Sequence, residues 1–412
     1  MPCASPEHQR SHSVIVSHLS LSDFRNYVSA EVELRAGPNL FVGSNGQGKT
    51  NLVESIGYLS TLASHRVSTD HALIRQGSEL AIVRARLEHA ERTLLVEVQI
   101  NRATSNRAQV NRVPVKPREL PRYITSVLFA PEDLALVRGE PSGRRRFIDQ
   151  LLVQLSPRFS GVIADYERVL KQRNTLLKSA RGARVAEGQL STLELWDERL
   201  VAFGTEIIQG RQELVERLRP QVAMAYASIA GPQHRADMIM QLSILGVQPD
   251  DDDIPTVSGS TNRRSASADD LAESFRVALA RVRRSELDRG LTLVGPHRDD
   301  LLLELNGLPA RGYASHGESW SFALSLKLAS AAVLRAESPV GDPIVILDDV
   351  FAELDETRRA QLASAIGDYE QVLITAAVFD DVPEPLAAHV VHIVAGEIVE
   401  GPTISKAGED RS

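Results

Sequence analysis

Residues 43–50 read Gly-Ser-Asn-Gly-Gln-Gly-Lys-Thr, and this octet constrains the fold more than any other stretch of the chain. It fits the phosphate-cradling pattern G-x-x-x-x-G-K-[ST], the Walker A loop, in full. Leu40, Phe41 and Val42 form a strand end before it; Leu52, Val53, Ile56 and Leu59 give the segment after it the apolar face of a helix. Strand, glycine loop and helix N-terminus in succession are the setting the motif requires. There Gly43, Ser44, Asn45, Gly46, Gln47 and Gly48 turn backbone N–H groups around an anion. Lys49 offers a point charge to the β/γ-phosphates, and Thr50 a hydroxyl to Mg²⁺. An ordinary glycine-rich turn does not account for the strand and helix on either side.

The other half of such a site lies far away. Pro343-Ile344-Val345-Ile346-Leu347-Asp348-Asp349 is an apolar strand ending in two carboxylates, the Walker B form. Alone it reads equally as a buried strand; beside a complete Walker A loop it becomes the magnesium strand. Asp348 then holds the metal through water, and Asp349 reaches the attacking water as general base. Lys49 and Asp348 are 299 residues apart, so a large insertion separates the halves of one compact site. Between them, Ser315-His316-Gly317-Glu318 opens a breaker-free helix to about Glu337. A small polar turn at a helix N-terminus is a second candidate anion site, or simply a cap.

Length and composition agree with this division. The chain's 412 residues suggest two or three domains, and 43% apolar with 24% charged residues excludes disorder for the bulk. Cys3 is the single cysteine, which removes intramolecular disulfides and cysteine-based zinc and points to a reducing cytosol. No secretory leader is visible in the first twenty residues, and no apolar run approaches the roughly eighteen needed to span a bilayer. The expectation is a soluble cytoplasmic protein without a membrane partner. The 11 histidines show no ligand spacing, so no metal besides Mg²⁺ is expected.

Net charge is −8, which argues mildly against a nucleic-acid binder, yet the charge is unevenly placed. From Arg102 to Arg146 ten basic residues stand against four acidic ones, whereas Asp250–Asp253 are four consecutive aspartates. Arg144, Arg145 and Arg146 either touch DNA phosphates or form a solvated helix face or salt bridges to the rest of the fold.

The first third is strand-rich. Leu94, Val96, Val98 and Ile100 alternate as in a half-buried strand, with neighbours near 80–88 and 107–115. From Phe159 the period becomes helical, through Tyr166, Val169 and Leu177. A second helix carries Trp196, Leu200, Phe203, Ile207, Leu214 and Leu218 and is expected to stop at Pro220. Tyr166, Trp196 and Phe203 read as core of this helical region. Residues 248–268 read as a loop, followed by a helix from about Asp269 to Asp288. Buried strands of the α/β kind return at Ile344–Leu347, Val372–Thr375 and Val390–Val394. Neither an internal repeat nor a sustained heptad is written here.

Taken in order, further motifs make a resemblance specific. They are Phe24-Arg25-Asn26-Tyr27, Phe129 to Leu134, Gln172-Arg173-Asn174, Gly295 to Leu301, and Asp348-Asp349-Val350-Phe351-Ala352-Glu353-Leu354-Asp355. Over residues 13–402 the chain resembles the RecF family, recombination mediators of bacterial DNA repair and relatives of ABC and SMC-type ATPases. The resemblance implies an α/β fold: a P-loop ATPase head of a mixed sheet plus an antiparallel β subdomain, assembled from both chain ends, with an inserted α-helical arm. Its boundaries would be a tail at 1–12, head lobes at 13–150 and 289–402, an arm at 151–288 and a second tail at 403–412.

The resemblance also implies an ATP-dependent homodimer with two ATP molecules between two heads. Ser315 and Gly317 would meet the nucleotide of the other subunit, Asp355 would lie in the D-loop, and Arg25 would lie near the nucleotide. It implies binding to single-stranded DNA and to junctions or gaps, loading of RecA with RecO and RecR, and support of SOS induction. Some positions depart from the relatives. Asp349 stands where ABC ATPases usually carry glutamate, so hydrolysis should be slow, weak and DNA-stimulated, with ATP as a timer. Thr375-Ala376-Ala377-Val378 replaces the H-loop histidine, Ala130-Pro131-Glu132 lacks a Q-loop glutamine, and Glu318 replaces a glutamine. His297 and Arg298 either sense nucleotide or, for His297, form a satisfied core histidine. The alternative function is an ABC-type subunit that drives another complex, but such a subunit should carry a full signature, Q-loop and H-loop.

Overall fold

The computed structural model describes residues 14–89, 92–183, 191–246, 268–338 and 340–399. Both expected tails, with Cys3, lie outside the described residues, as does the 248–268 loop except for Ala268, which opens a helix. The chain divides into two compact units: Met1–Glu132 with Leu334–Ser412, and Asp133–Val333. The boundaries expected from sequence, 150 and 289, differ from these.

In the first unit, described residues form two six-stranded sheets. The antiparallel sheet uses β1 (Ile15–Phe24) and β2 (Tyr27–Glu33). It continues, beyond β3 (Gly37–Val42) and α1 (Lys49–Thr61), with β4 (Leu80–His89), β5 (Arg92–Asn101), β6 (Arg107–Val110) and β7 (Val113–Val115). Its order is β2-β1-β4-β5-β6-β7. Ala81, Val83, Ala85 and Leu87 alternate inward along β4, and Val96, Val98 and Ile100 do so along β5, the period-two pattern of a one-sided sheet. The other sheet combines β3 and β8 (Ser126–Phe129) with strands from the far end of the chain.

The second unit begins with α2 (Leu134–Arg138), α3 (Pro141–Leu155), α4 (Phe159–Ala183) and α5 (Ser191–Ala230). After β9 (Ala236–Gln241) and α6 (Ala268–Arg289) come β10 (Asp300–Leu305) and β11 (Leu308–Pro309), in a small sheet ordered β11-β10-β9. This sheet was not anticipated: all six residues of β10 are buried, which erases the alternation that marks a strand. The single turn α7 (Ala310–Tyr313) leads to α8 (His316–Glu337). Pro220 does not stop its helix, which runs on to Ala230. The ring deletes one main-chain bond, but Val222, Tyr226 and Ile229 extend the buried stripe beyond it. Three buried side chains at about 1.5–3 kcal/mol each outweigh a proline cost of about 3 kcal/mol. Tyr166 is in this unit's core, with Trp196 and Phe203 packed against it.

The remaining elements return to the first unit: β12 (Ile344–Asp348), α9 (Glu356–Ile366), β13 (Gln371–Ala376), β14 (His389–Val394) and β15 (Glu397–Val399). The second sheet has the order β15-β14-β3-β13-β12-β8, parallel except for β15. Every residue of β12 and β13 is buried, as befits parallel strands covered on both faces. Strand β3, from the N-terminal third, is inserted between β13 and β14 from the C-terminal fifth. The registers Asp348↔Thr375 and Ala376↔Val42 align the carboxyl ends of β12, β13 and β3, where open α/β sheets bind ligands.

Candidate functional site

The glycine loop leaves β3 at this edge and feeds directly into α1. Gly48 has φ 114°, and a Cβ there would meet both the Tyr27 hydroxyl and Asn26 Nδ2 at 2.8 Å, so only glycine fits. Tyr27 Oη donates to Gly48 O at 3.1 Å, and Asn26 Nδ2 to Gln47 O at 3.4 Å, tying the β1–β2 turn to the loop. From the other side Gly396 N–H donates to Gln47 O at 3.0 Å, and Ala395 N–H donates to Gln47 Oε1. Ser44, Asn45 and Gly46 remain exposed at the crest.

Lys49 is 3% exposed, yet its ammonium donates only to Gly43 O at 2.7 Å and Ser44 O at 3.2 Å. Among the described residues it meets no carboxylate. A buried ammonium held by two carbonyls has a third N–H and an uncompensated charge, which is what a phosphate group satisfies.

Thr50 Oγ1 donates to Asp348 Oδ1 at 2.8 Å, joining residues 298 apart in the chain. Thr375 Oγ1 donates to the same oxygen at 2.7 Å and accepts the Asp349 N–H at 2.9 Å. One threonine thereby fixes both carboxylate residues, and Asp349 sits in the left-handed region at φ 51°, which aspartate tolerates better than most residues. Burial pushes the Asp348 carboxyl up to about 6; the Thr375 and Thr50 hydroxyls pull it down, while Asp349 and Glu132 add to the rise. Hydroxyl and carboxylate oxygens gathered this closely fit a hard divalent cation such as Mg²⁺, whose charge reverses the carboxylate crowding.

Arg25 lies on the turn that touches the loop, but its guanidinium is committed to α1. Nε and Nη2 donate to Glu54 Oε2 and Oε1 at 2.9 and 2.7 Å, and Nη1 donates to Ala72 O at 3.0 Å. Ser64 Oγ donates to Glu54 Oε1 at 2.5 Å and receives the N–H groups of Arg66 and Val67. That folds the segment after α1 back so that His65 Nε2 stands 3.9 Å from Asp348 Oδ2. Sequence reasoning missed Thr375, Glu54, Ser64 and His65 as parts of the site. Only Thr375 left a trace, as the polar end of an otherwise apolar strand.

Asp355 caps α9, accepting the Arg358 N–H at 2.9 Å. In the second unit, Ser315 and Glu318 close a reciprocal capping box on α8. Ser315 N–H donates to Glu318 Oε2 at 2.7 Å and Glu318 N–H to Ser315 Oγ at 3.3 Å, so the cap reading describes this turn. The Ser315 bonds hold the Glu318 carboxyl below its usual range.

The arginine triplet on α3 splits three ways. Arg144 is buried in a bidentate pair with Asp300 at 2.8 Å and also donates to Gly139 O, so it is not available to a phosphate. Arg145 is half-buried and donates to Asp299 O at 2.7 Å. Arg146 is exposed. The salt-bridge alternative therefore describes Arg144, because Asp300, 156 residues away, is folded against it. His297 is the core histidine: its Nδ1 is 2.7 Å from the Tyr166 hydroxyl, and burial pushes it down to about 3.

The RecF/RecN/SMC N-terminal domain family matches residues 15–387. The DNA replication and repair protein RecF of Clavibacter michiganensis subsp. michiganensis (strain NCPPB 382) is 65% identical over 390 residues, covering 94% of this chain and 96% of its own length. The protein of the same name from Leifsonia xyli subsp. xyli (strain CTCB07) is 65% identical over 385 residues, covering 93% of this chain and 99% of its own. A solved structure described as the recombination mediator protein RecF-ATPrS in the RecFOR pathway superposes with a TM-score of 0.82 at 27% identity, over 95% of this chain and 99% of that one. With its ABC/SMC-type head built from both chain ends and its inserted helical unit, the chain belongs to the RecF family of DNA replication and repair proteins.

Proposed function

We propose that the chain is an ATP-gated DNA-binding protein of recombinational repair and replication restart. The observation that carries this is the Thr50–Asp348 bond at 2.8 Å, which closes a nucleotide site from the two ends of the chain. The Gly43–Gly48 backbone receives the phosphates, and Lys49 exchanges its carbonyl partners for β/γ-phosphate oxygens. Thr50 and Asp348 hold Mg²⁺, which when bound neutralises charge on those oxygens. Asp349 orients the attacking water and accepts its proton; its short side chain makes turnover slow, so ATP works as a timer. Arg25 acts on the loop through Glu54 and the β1–β2 turn.

ATP binding closes a homodimer in which Ser315, Gly317 and Asp355 meet the partner's nucleotide. Two weak DNA half-sites are thereby linked, and the gain is one of effective concentration. Gapped and junction DNA, RecO, RecR and, through them, RecA are the partners this reading assigns, in the cytoplasm. No described helix is long and apolar enough to cross a membrane. Of the α3 triplet, Arg146 is left as a phosphate ligand. The membership in a family of repair proteins and the likeness to a RecF-ATPrS structure support the reading. The test is a pair of variants followed by light scattering with ATP. Lys49→Met abolishes the ATP-induced dimer, and Asp349→Asn keeps and traps it. Identical behaviour of the two variants contradicts this division of roles.

A further inference from the structure

With Arg144 buried, most of the free positive charge between 102 and 146 lies elsewhere, on the edge of the antiparallel sheet. Arg102, Arg107, Arg112, Lys116, Arg118 and Arg122 are all exposed, and among the described residues none forms an ion pair. Glu119, half-buried, is the single acidic residue of that stretch. The β6–β7 register ends at Ala108↔Val115, so Arg107 and Lys116 flank its last pair, one on each strand. Across β5 Arg107 faces neutral Gln99, and the β5 carboxylate two residues along, Glu97, lies opposite Gln109 and is already paired with Arg84. Arg112 occupies the hairpin tip at φ 66°, following Asn111 at φ 50°, where glycine is the easier residue. Arg118 and Arg122 follow on the 3-10 helix Pro117–Arg122, directly after β7 in the chain.

Edge strands are often protected by charge, but β7 is already guarded by its three-residue length and by Pro114 at its centre. A four-residue strand such as β6 spans about 13 Å. That is the rise of about four phosphates along one DNA strand. We propose that this basic ridge, Arg107–Arg122, is a sequence-independent seat for a DNA backbone. The inference rests on the DNA-binding reading above and assigns it a surface.

The test is fluorescence anisotropy of a labelled gapped duplex with ATP, across a salt series, using the full chain. The variant R107Q/K116Q/R118Q is expected to make the slope of log K against log salt shallower by about 2–3. The charge-conserving R107K/R118K should keep the wild-type slope. A control, R158Q/R168Q/R276Q, removes the same charge from arginines already paired with Glu206, Asp165 and Glu198 and should leave the slope unchanged. Wild-type binding with an unaltered slope in the ridge variant overturns the ridge alone, and leaves edge protection as the role of these charges. So does an equal loss in the control. Wild-type protein without salt-dependent DNA binding overturns both the ridge and the DNA-binding reading. Far-ultraviolet circular dichroism and the ATP-induced dimer, unchanged in the ridge variant, show that it is folded.

Discussion

Two buried polar clusters, one in each unit, look alike in composition and differ in balance. In the second unit Arg173 is fully buried and donates to Asp197 at 2.7 Å, Glu286 at 2.6 Å and Thr292 Oγ1 at 2.7 Å. Arg283 adds a second cation at Asp197, and the Leu293 N–H adds a donor at Glu286. Each carboxylate there faces a guanidinium. In the first unit Asp348 is met by two threonine hydroxyls, by the charge of other carboxylates and, at 3.9 Å, by the His65 imidazole, and Lys49 is met by carbonyls. A cluster that balances its own charges holds a fold together. A cluster whose anions and cation are buried apart is built for a ligand that carries the missing charges.

The largest effect is expected where balance is complete. Arg173→Met leaves Glu286 buried without a cation and should lower unfolding free energy by about 3–5 kcal/mol, read by urea denaturation. A loss below 1 kcal/mol would show that the cluster is not structural. The opposite sign is expected at the other cluster. Asp348→Asn keeps an acceptor for both threonines and removes a crowded charge, so the nucleotide-free protein should gain about 1–3 kcal/mol. A destabilised Asp348→Asn protein would break the comparison.

A smaller, pH-resolved effect separates two neighbours in the second unit. His297 is pushed down to about 3, so the unfolded chain takes this proton first and stability falls as pH drops below the ordinary histidine value. Burial pushes Asp299 up to about 6 against the pull of Arg211 and Ser243, so there the folded state takes the proton first and stability rises as pH falls. The two offset each other between pH 6 and about 4. His297→Gln removes one side, and the variant should gain on wild type by about 1.4 kcal/mol per pH unit over that range. Parallel stability curves would show that His297 is not held neutral.

What the sequence discloses follows from where each partner lies. The glycine loop and the Ile344–Asp349 strand were legible because each is contiguous and apolar run and polar residues stand side by side. The alternation in β4 and β5 was legible because one face is solvated. Arg144 and Asp300, or Arg25 and Glu54, could not be paired from sequence, since nothing local distinguishes a buried guanidinium from an exposed one. Pro220 misled because local propensity was outweighed by burial on either side of it. The strand β10 went unnoticed because uniform burial removes periodicity. Thr375 was visible as a residue where relatives carry a different loop, but its double role appears only when β12 and β13 are laid in register.

The most direct test of the central claim is thermal unfolding of wild type and Asp348→Asn, each with and without saturating MgATP. A ligand at 100 times its dissociation constant stabilises by about 2.7 kcal/mol, so the wild-type midpoint should rise by a few degrees. Asp348→Asn should start from the higher midpoint without nucleotide and show little or no further rise. An equal MgATP-induced rise in both proteins would contradict the account, because the Thr50–Asp348 pair would then not be the seat of the nucleotide's metal.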